Sequence, residues 1–155
     1  MSNISTHITL AEAIKSQTAT RKGIDNTPTE EHLVNMKYLA ETVFEPLRAH
    51  FNKPLGISSF YRGPKLNKAV GGSATSQHVN GQAMDIDGDI FSGVSNSEIY
   101  EYIKNNLPFD QLIWEFGTDK NPDWVHVSIC KDGKNRKQLL KAVKQGTKTV
   151  YLPCQ

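Results

Sequence analysis

The sequence predicts an α+β fold, a small antiparallel sheet flanked by helices. Three observations carry that expectation. Two apolar stripes at helical spacing, Leu33 to Leu47 and Ile99 to Leu107, each follow a helix-start signal. Four short stretches, 56–61, 82–87, 111–116 and 124–129, have strand character instead. The last two are joined only by Gly117 to Asp123, which reads as an antiparallel hairpin.

Each element has a local reason. Thr9 caps a short helix, with Glu12 closing a capping box. Thr18 to Asn26 is polar and is expected to be a surface loop. Thr27-Pro28-Thr29-Glu30 starts the first long helix, with Thr27 as cap, Pro28 in the first helical position and Glu30 completing the box. Leu33, Met36, Tyr38, Leu39, Ala40, Val43, Phe44 and Leu47 mostly fit one stripe of a core helix, and Pro46 should kink or end it. Arg62-Gly63-Pro64 breaks the first strand, and Pro64 to Val70 makes a short helix closed by Gly71-Gly72. Gly71 to Ser76 is then a loop that delivers His78. From Gln82 to Asp87, Ala83, Asp85 and Asp87 share one strand face, and Met84 and Ile86 the other. Ser95-Asn96-Ser97-Glu98 is a further capping box, and Pro108 stops the helix it opens. In the basic tail, a helix around Leu139 to Val143 and a strand at Val150 to Leu152 are expected. No chemistry is assigned to that tail, and its lysines read as a solvated face.

Length and charge narrow the classes. With 155 residues and no repeat, low-complexity tract or linker, the chain is expected to form one domain, 1–155, whose motif-bearing core runs from about 10 to 130. A formal net charge of +2, with both signs spread along the chain, does not single out nucleic acid as a partner. No apolar run approaches the roughly 20 residues that cross a bilayer. A monomer is expected. Met1 to His7 has neither the basic nor the apolar segment of a secretory signal, so synthesis in a cytoplasm is expected. Cys130 and Cys154 lack a metal-type spacing and read as reduced thiols.

The chemistry concentrates in two places. Ser76-Gln77-His78-Val79-Asn80-Gly81-Gln82-Ala83-Met84-Asp85 sets an imidazole and a carboxylate on one short piece of backbone, and Asp123-Trp124-Val125-His126-Val127-Ser128 supplies a second imidazole. Two imidazoles and a carboxylate are a common ligand set for catalytic zinc, with a fourth position open to water. His7, His32 and His50 read as surface or structural residues, and Gln77 and Ser128 at most as pocket liners. Asp87 is either an orienter of a ligand histidine or a plain solvated carboxylate. A hairpin symmetric about Lys120 and Asn121 sets Glu115 opposite His126, on the same face with Cβ atoms about 5 Å apart. A one-residue slip would carry Glu115 to the other face.

The pattern Ser-x-His-x-x-Gly-x-Ala-x-Asp from Ser76 to Asp85, followed by Trp124-Val125-His126-Val127-Ser128, resembles the zinc D-alanyl-D-alanine peptidases of the hedgehog/DD-peptidase fold. These include murein carboxypeptidases, vancomycin-resistance dipeptidases and many phage endolysins. The resemblance runs from about Leu10 to Ser128 and is nearest to short phage-associated members, where a segment like Ile57-Ser58-Ser59-Phe60-Tyr61-Arg62 also precedes the first ligand. It implies one Zn2+ ion held by His78, Asp85 and His126, and Arg62 as the arginine that holds substrate and the developing oxyanion. For the base it implies two candidates. In several branches the acid lies three residues before the last histidine, which is Asp123 here. In others it lies on the preceding strand, which is Glu115. The substrate implied is a peptidoglycan stem or cross-bridge peptide containing D-amino acids, cleaved as a carboxypeptidase or an endopeptidase. The setting implied is a phage lysis enzyme released by a holin, or a virion component, acting on the cell wall. A zinc-binding but inactive interaction module and a phage structural protein of the same fold are the alternative readings.

Overall fold

A six-stranded mixed sheet forms the frame of this computed structural model, which describes residues 3–154. Met1, Ser2 and Gln155, which the expected domain of 1–155 includes, lie outside the described residues. In chain order the strands are β1 (Asn3–Ser5), β2 (Ile8–Thr9), β3 (Gly56–Ser59), β4 (Ala83–Asp87), β5 (Gln111–Glu115), β6 (Trp124–Ser128), β7 (Gln138–Gln145) and β8 (Lys148–Pro153). β1 and β2 pair only with each other, and the large sheet has the order β3-β4-β6-β5-β7-β8. The helices are α1 (Leu10–Ile14), α2 (Gln17–Lys22), α3 (Glu30–Leu39), α4 (Glu45–Phe51), α5 (Pro64–Ala69) and α6 (Asn96–Asn106). The α+β expectation holds.

Register separates the two faces of the sheet. Met84, Val127, Leu112 and Leu139 stand in one cross-strand row, and Asp85, His126, Ile113 and Leu140 in the next. Successive residues of a strand point to opposite faces, so the first row looks one way and the second the other. On the first face Met84, Ile86, Leu112, Val125 and Val127 are fully buried. They share one core cluster with Met36, Leu39, Val43, Phe44 and Leu47 from the α3–α4 segment and Ile99, Tyr100 and Ile103 from α6. Burying each such side chain stabilises the fold by roughly 1.5–3 kcal/mol, which is why the helices cover this face and leave the other to a cleft.

The predicted caps of α1 and α6 form in full. Thr9 and Glu12, and Ser95 and Glu98, each make a reciprocal capping box. The start of α3 differs from expectation. Thr29, not Thr27, is its cap and accepts from the His32 amide, while Thr27 is held instead by the carboxylate of Asp25. Residues 18–26 are not all loop, because Ser16 caps α2 and Gly23 closes it. Pro46 does not end its helix. A π-helical turn at Ala40–Phe44 precedes it, so Pro46 falls in the first turn of a new α segment, where its missing N–H removes no necessary bond.

The tail departs furthest from expectation. Leu139 to Val143 is not helical but lies inside β7, and the terminal strand extends over the whole of β8. Leu, Lys, Ala and Gln favour helix in isolation. Here they pair in parallel with β5 and, across the two-residue turn Gly146-Thr147, antiparallel with β8. The parallel β5–β7 pair also makes the sheet mixed rather than wholly antiparallel. Cys130 and Cys154 form no disulfide.

Candidate metal centre

Three separate segments deliver three donor groups to the open face of the sheet. His78 lies in a 3-10 turn, Gln77–Asn80, capped by the Ser76 hydroxyl and closed by Gly81. Gly81 has φ of +74°, and a Cβ there would come within 2.6 Å of the His32 carbonyl oxygen on α3. Only glycine lets the turn end so close to that helix. Asp85 on β4 and His126 on β6 are direct cross-strand partners. One carboxylate oxygen, Oδ1 of Asp85, lies 3.0 Å from His126 Nδ1 and 3.4 Å from His78 Nε2. The three ligand atoms all lie within 4.8 Å of one another.

The hydrogen bonding around this trio fits a cation. His78 Nδ1 donates to the Phe60 carbonyl oxygen at 2.7 Å. A neutral imidazole has only that proton to give, so its Nε2 lone pair faces the Asp85 carboxylate. Lone pair against carboxylate is repulsive unless a proton or a metal ion stands between them. The side chains of His78, Asp85 and His126 are only 2%, 12% and 12% exposed. Burial pushes the Asp85 carboxyl up; a proton on His78, by its charge and its hydrogen bond, together with the hydrogen bond from His126, outweighs burial and holds the group well below the usual carboxylate range, so positive charge between these groups is strongly favoured. Borderline-soft imidazoles with one hard oxygen are a donor set that suits zinc.

Arg62 reaches the same cleft from the end of β3. Its amide donates to the His78 carbonyl oxygen at 3.2 Å, which ties the two residues' backbones together. Asn26 fixes the flanking chain, donating to the carbonyls of Ile14 and Tyr61 and accepting from the Gly63 amide. The Arg62 Nε is buried without a partner among the described residues, so the guanidinium is held but not consumed.

Glu115 also lines the cleft, although the hairpin register differs from expectation. Glu115 pairs with Trp124, and Ile113 pairs with His126. Phe116 and Gly117 both take left-handed backbone conformations at the end of β5, which moves the centre of the connection back by one residue. The resulting shift is two residues in pairing. An even shift keeps the face, so Glu115 lies diagonal to His126 instead of opposite it. Glu115 is 7% exposed, and its carboxyl is pushed up to about 7 by burial, with His126 and Arg62 pulling the other way and Asp85 adding to the rise. Asp123 is placed differently. It is exposed, its amide donates to the Glu115 carbonyl oxygen, its carbonyl accepts from Asn96, and it does not line the cleft.

The remaining sequence candidates have structural partners. Asp87 caps the turn at Gly88–Ile90 and accepts from Asn96, so it orients neither imidazole. His7 pairs with Glu45, His32 with the Tyr61 hydroxyl, and His50 stacks on Tyr102. Ser128 is fully buried and holds the Gln111 amide, whereas Gln77 does line the cleft. Sequence reading missed Asp110, which is 2% exposed and receives Nε and Nη2 of Arg136 together with Nε2 of Gln77. That network anchors the turn carrying His78 to the segment before β7. The only sequence signal for it was an acidic residue directly before a buried strand.

The cleft holds about 970 Å³ and has a second wall the sequence did not announce. Opposite Arg62 and the 71–77 loop stand Lys144, Thr147, Thr149 and Tyr151 from β7, β8 and their turn. Lys144 is thus part of the cleft and not only of a solvated face. A family model described as Peptidase M15 matches residues 6–128, which include every residue proposed from the motif and stop short of that second wall. No curated protein matches the chain.

Proposed function

The chain belongs to the peptidase M15 family, and from that premise we propose a zinc-dependent hydrolase of peptide bonds involving D-amino acids in peptidoglycan stem or cross-bridge peptides. The observation that carries the proposal is the meeting of His78, Asp85 and His126 within 4.8 Å, on the wet face of the sheet and beside a buried carboxyl pushed up to about 7.

In this reading His78 through Nε2, His126 through Nδ1 and Asp85 through its carboxylate hold the ion. When bound, zinc supplies Lewis-acid polarisation and a water acidic enough to attack at neutral pH. Glu115 is the proton carrier, with Asp123 set aside because it is exposed and does not line the cleft. A buried carboxyl, raised above its ordinary value in the metal-free chain, takes a proton from the attacking water and returns it to the leaving amine. Arg62, with its unconsumed guanidinium, binds the peptide and neutralises charge developing on the carbonyl oxygen. Phe60 holds the His78 ring in the tautomer that presents Nε2. The cell wall is the proposed place of action, with a bacteriophage lysis enzyme or virion component as the setting. The support for that setting is the resemblance of the core to short phage-associated members.

Purified peptidoglycan is the test substrate. Digestion with and without chelator, followed by mass analysis of the fragments, reports activity, metal dependence and the scissile bond together. Fragments that appear only with metal, each ending at a D-residue, are expected. An undigested sacculus in the presence of added zinc would refute the hydrolase reading.

A further inference from the structure

We propose that the β7–β8 hairpin forms a binding subsite for a carboxylate of the peptide substrate, with Lys144 and Tyr151 as its specificity-determining residues. The inference rests on the peptidase reading and extends it to a part of the chain outside the matched family region.

Position is the first argument. Glu115 on β5, Ala142 on β7 and Tyr151 on β8 are successive cross-strand partners and so share the cleft face. Adjacent strands lie about 4.8 Å apart, which sets the Tyr151 backbone about 10 Å from that of Glu115. The residue between them is alanine, fully buried, so no large side chain separates Tyr151 from Glu115 in that row. Burial, followed by the charges of Glu115 and Asp85, raises the Tyr151 phenol above its ordinary value, with Arg62 opposing. Tyr151 lines the same cleft as His78, Asp85, Glu115 and His126, although the residue is 52% exposed.

Charge is the second argument. Three cations line the cleft: Arg62, Arg136 and Lys144. Arg136 is already paired through two nitrogens with Asp110. Lys144 has no ion pair among the described residues. Its ammonium donates to the Thr149 hydroxyl at 3.2 Å and lies 5.2 Å from the centre of the Phe116 ring. Thr149 is its direct partner across the hairpin, so an ammonium, a hydroxyl and a phenol converge on one wall. That set donates hydrogen bonds and carries positive charge, and the matching group on a peptide is a carboxylate. It would sit on the far side of the centre from Arg62. Either the α-carboxylate at a chain end or the side chain of an acidic residue has this chemistry.

The test uses the full chain, the Lys144→Met and Tyr151→Phe variants, and three peptides. The first ends in D-alanyl-D-alanine with a free carboxylate, the second is its C-terminal amide, and the third is amidated but carries a D-glutamyl side chain. With Lys144→Met, KM for the peptide bearing the recognised carboxylate should rise about tenfold while kcat changes little, and Tyr151→Phe should give a smaller rise. KM for the plain amide should be indifferent to both changes, and any change in kcat should be common to all three peptides, because the Lys144 charge also pulls the Glu115 carboxyl down. The first and third peptides distinguish the two sources of the carboxylate. Equal loss on all three peptides, or no change on any, would overturn the subsite. Binding gives a readout free of turnover, by titrating the same peptides into the Glu115→Gln chain with and without Lys144→Met. Carboxylate peptides binding no tighter than the amide would also overturn it. A wild-type chain that binds the carboxylate peptides through Lys144 but cleaves none of them would instead refute the hydrolase reading and leave the subsite standing.

Discussion

Replacing Glu115 by glutamine should remove activity and, in the metal-free chain, add stability. The carboxyl is buried and pushed from an ordinary 4.5 up to about 7. Between those two values the folded chain binds the proton more tightly than the unfolded chain, so the stability contributed by the protonated form is full below 4.5 and is lost as pH rises through about 7. At 1.36 kcal/mol per pH unit, the loss is about 1 kcal/mol at pH 5 and about 3 kcal/mol at pH 8. Glutamine keeps the shape and hydrogen-bonding capacity of the neutral acid but does not ionise. The variant should therefore exceed the wild type by about 1 kcal/mol at pH 5 and by about 3 kcal/mol at pH 8 in this contribution. Urea denaturation with chelator present, at both pH values, measures it, and the difference between the two proteins cancels the titration of the remaining groups. With zinc restored, kcat should fall about 10²- to 10⁴-fold. A stability difference that stays constant or shrinks between pH 5 and pH 8 would show that Glu115 is not held protonated by burial, and the argument for it as proton carrier would fail.

Other perturbations follow from the same geometry. Gly81→Ala forces a left-handed alanine against the His32 carbonyl, at about 1–2 kcal/mol for the backbone alone and more for the clash, so thermal denaturation should show a clearly lowered Tm and zinc affinity should drop; an unchanged Tm would contradict the close approach. Asp110→Asn breaks the pair with Arg136 and should cost about 1–3 kcal/mol. Because Arg136 holds the Asp110 carboxyl down at about 2, that stabilisation is present above its ordinary 3.8 and fades as pH falls toward 2, so wild type and variant should converge in acid denaturation curves. Chelation should abolish hydrolysis reversibly. It should also lower stability by about 2.7 kcal/mol relative to zinc at a hundredfold excess over its dissociation constant, read as a Tm shift with zinc titration. His126→Ala should abolish that zinc-dependent shift, and a persistent shift would move the ion elsewhere.

What could be read from the chain beforehand was what is local. Capping boxes need three or four residues, so the starts of α1 and α6 were legible, and alternation along 83–87 placed Asp85 on one face before any partner was known. The three donor residues could be named because each sits in a short segment with its own pattern. Their convergence could not be derived from pattern, because it depends on β4 and β6 becoming neighbours across the sheet. The hairpin register was off by two because left-handed Phe116 is not visible in a sequence, and parity rescued the face of Glu115. β7 was hidden for a different reason. Its residues favour helix, and only pairing on both sides makes them extended. With a helix expected around Leu139 to Val143, the strand at Val150 to Leu152 has no partner to assign Tyr151 to the cleft, and Lys144 has no strand at all.

The parallel pairing of β7 on β5 has a consequence for any shortened form of the chain. A polypeptide stopping at Ser128 would keep the entire matched motif yet make β5 the outermost strand, with a row of backbone amides and carbonyls open to whatever strand came next. The strand so stripped is the one that bears Glu115. Such a minimal version should stick to its own copies before it could be assayed, so residues 129–154 cover the strand that bears Glu115 as well as forming one side of the cleft.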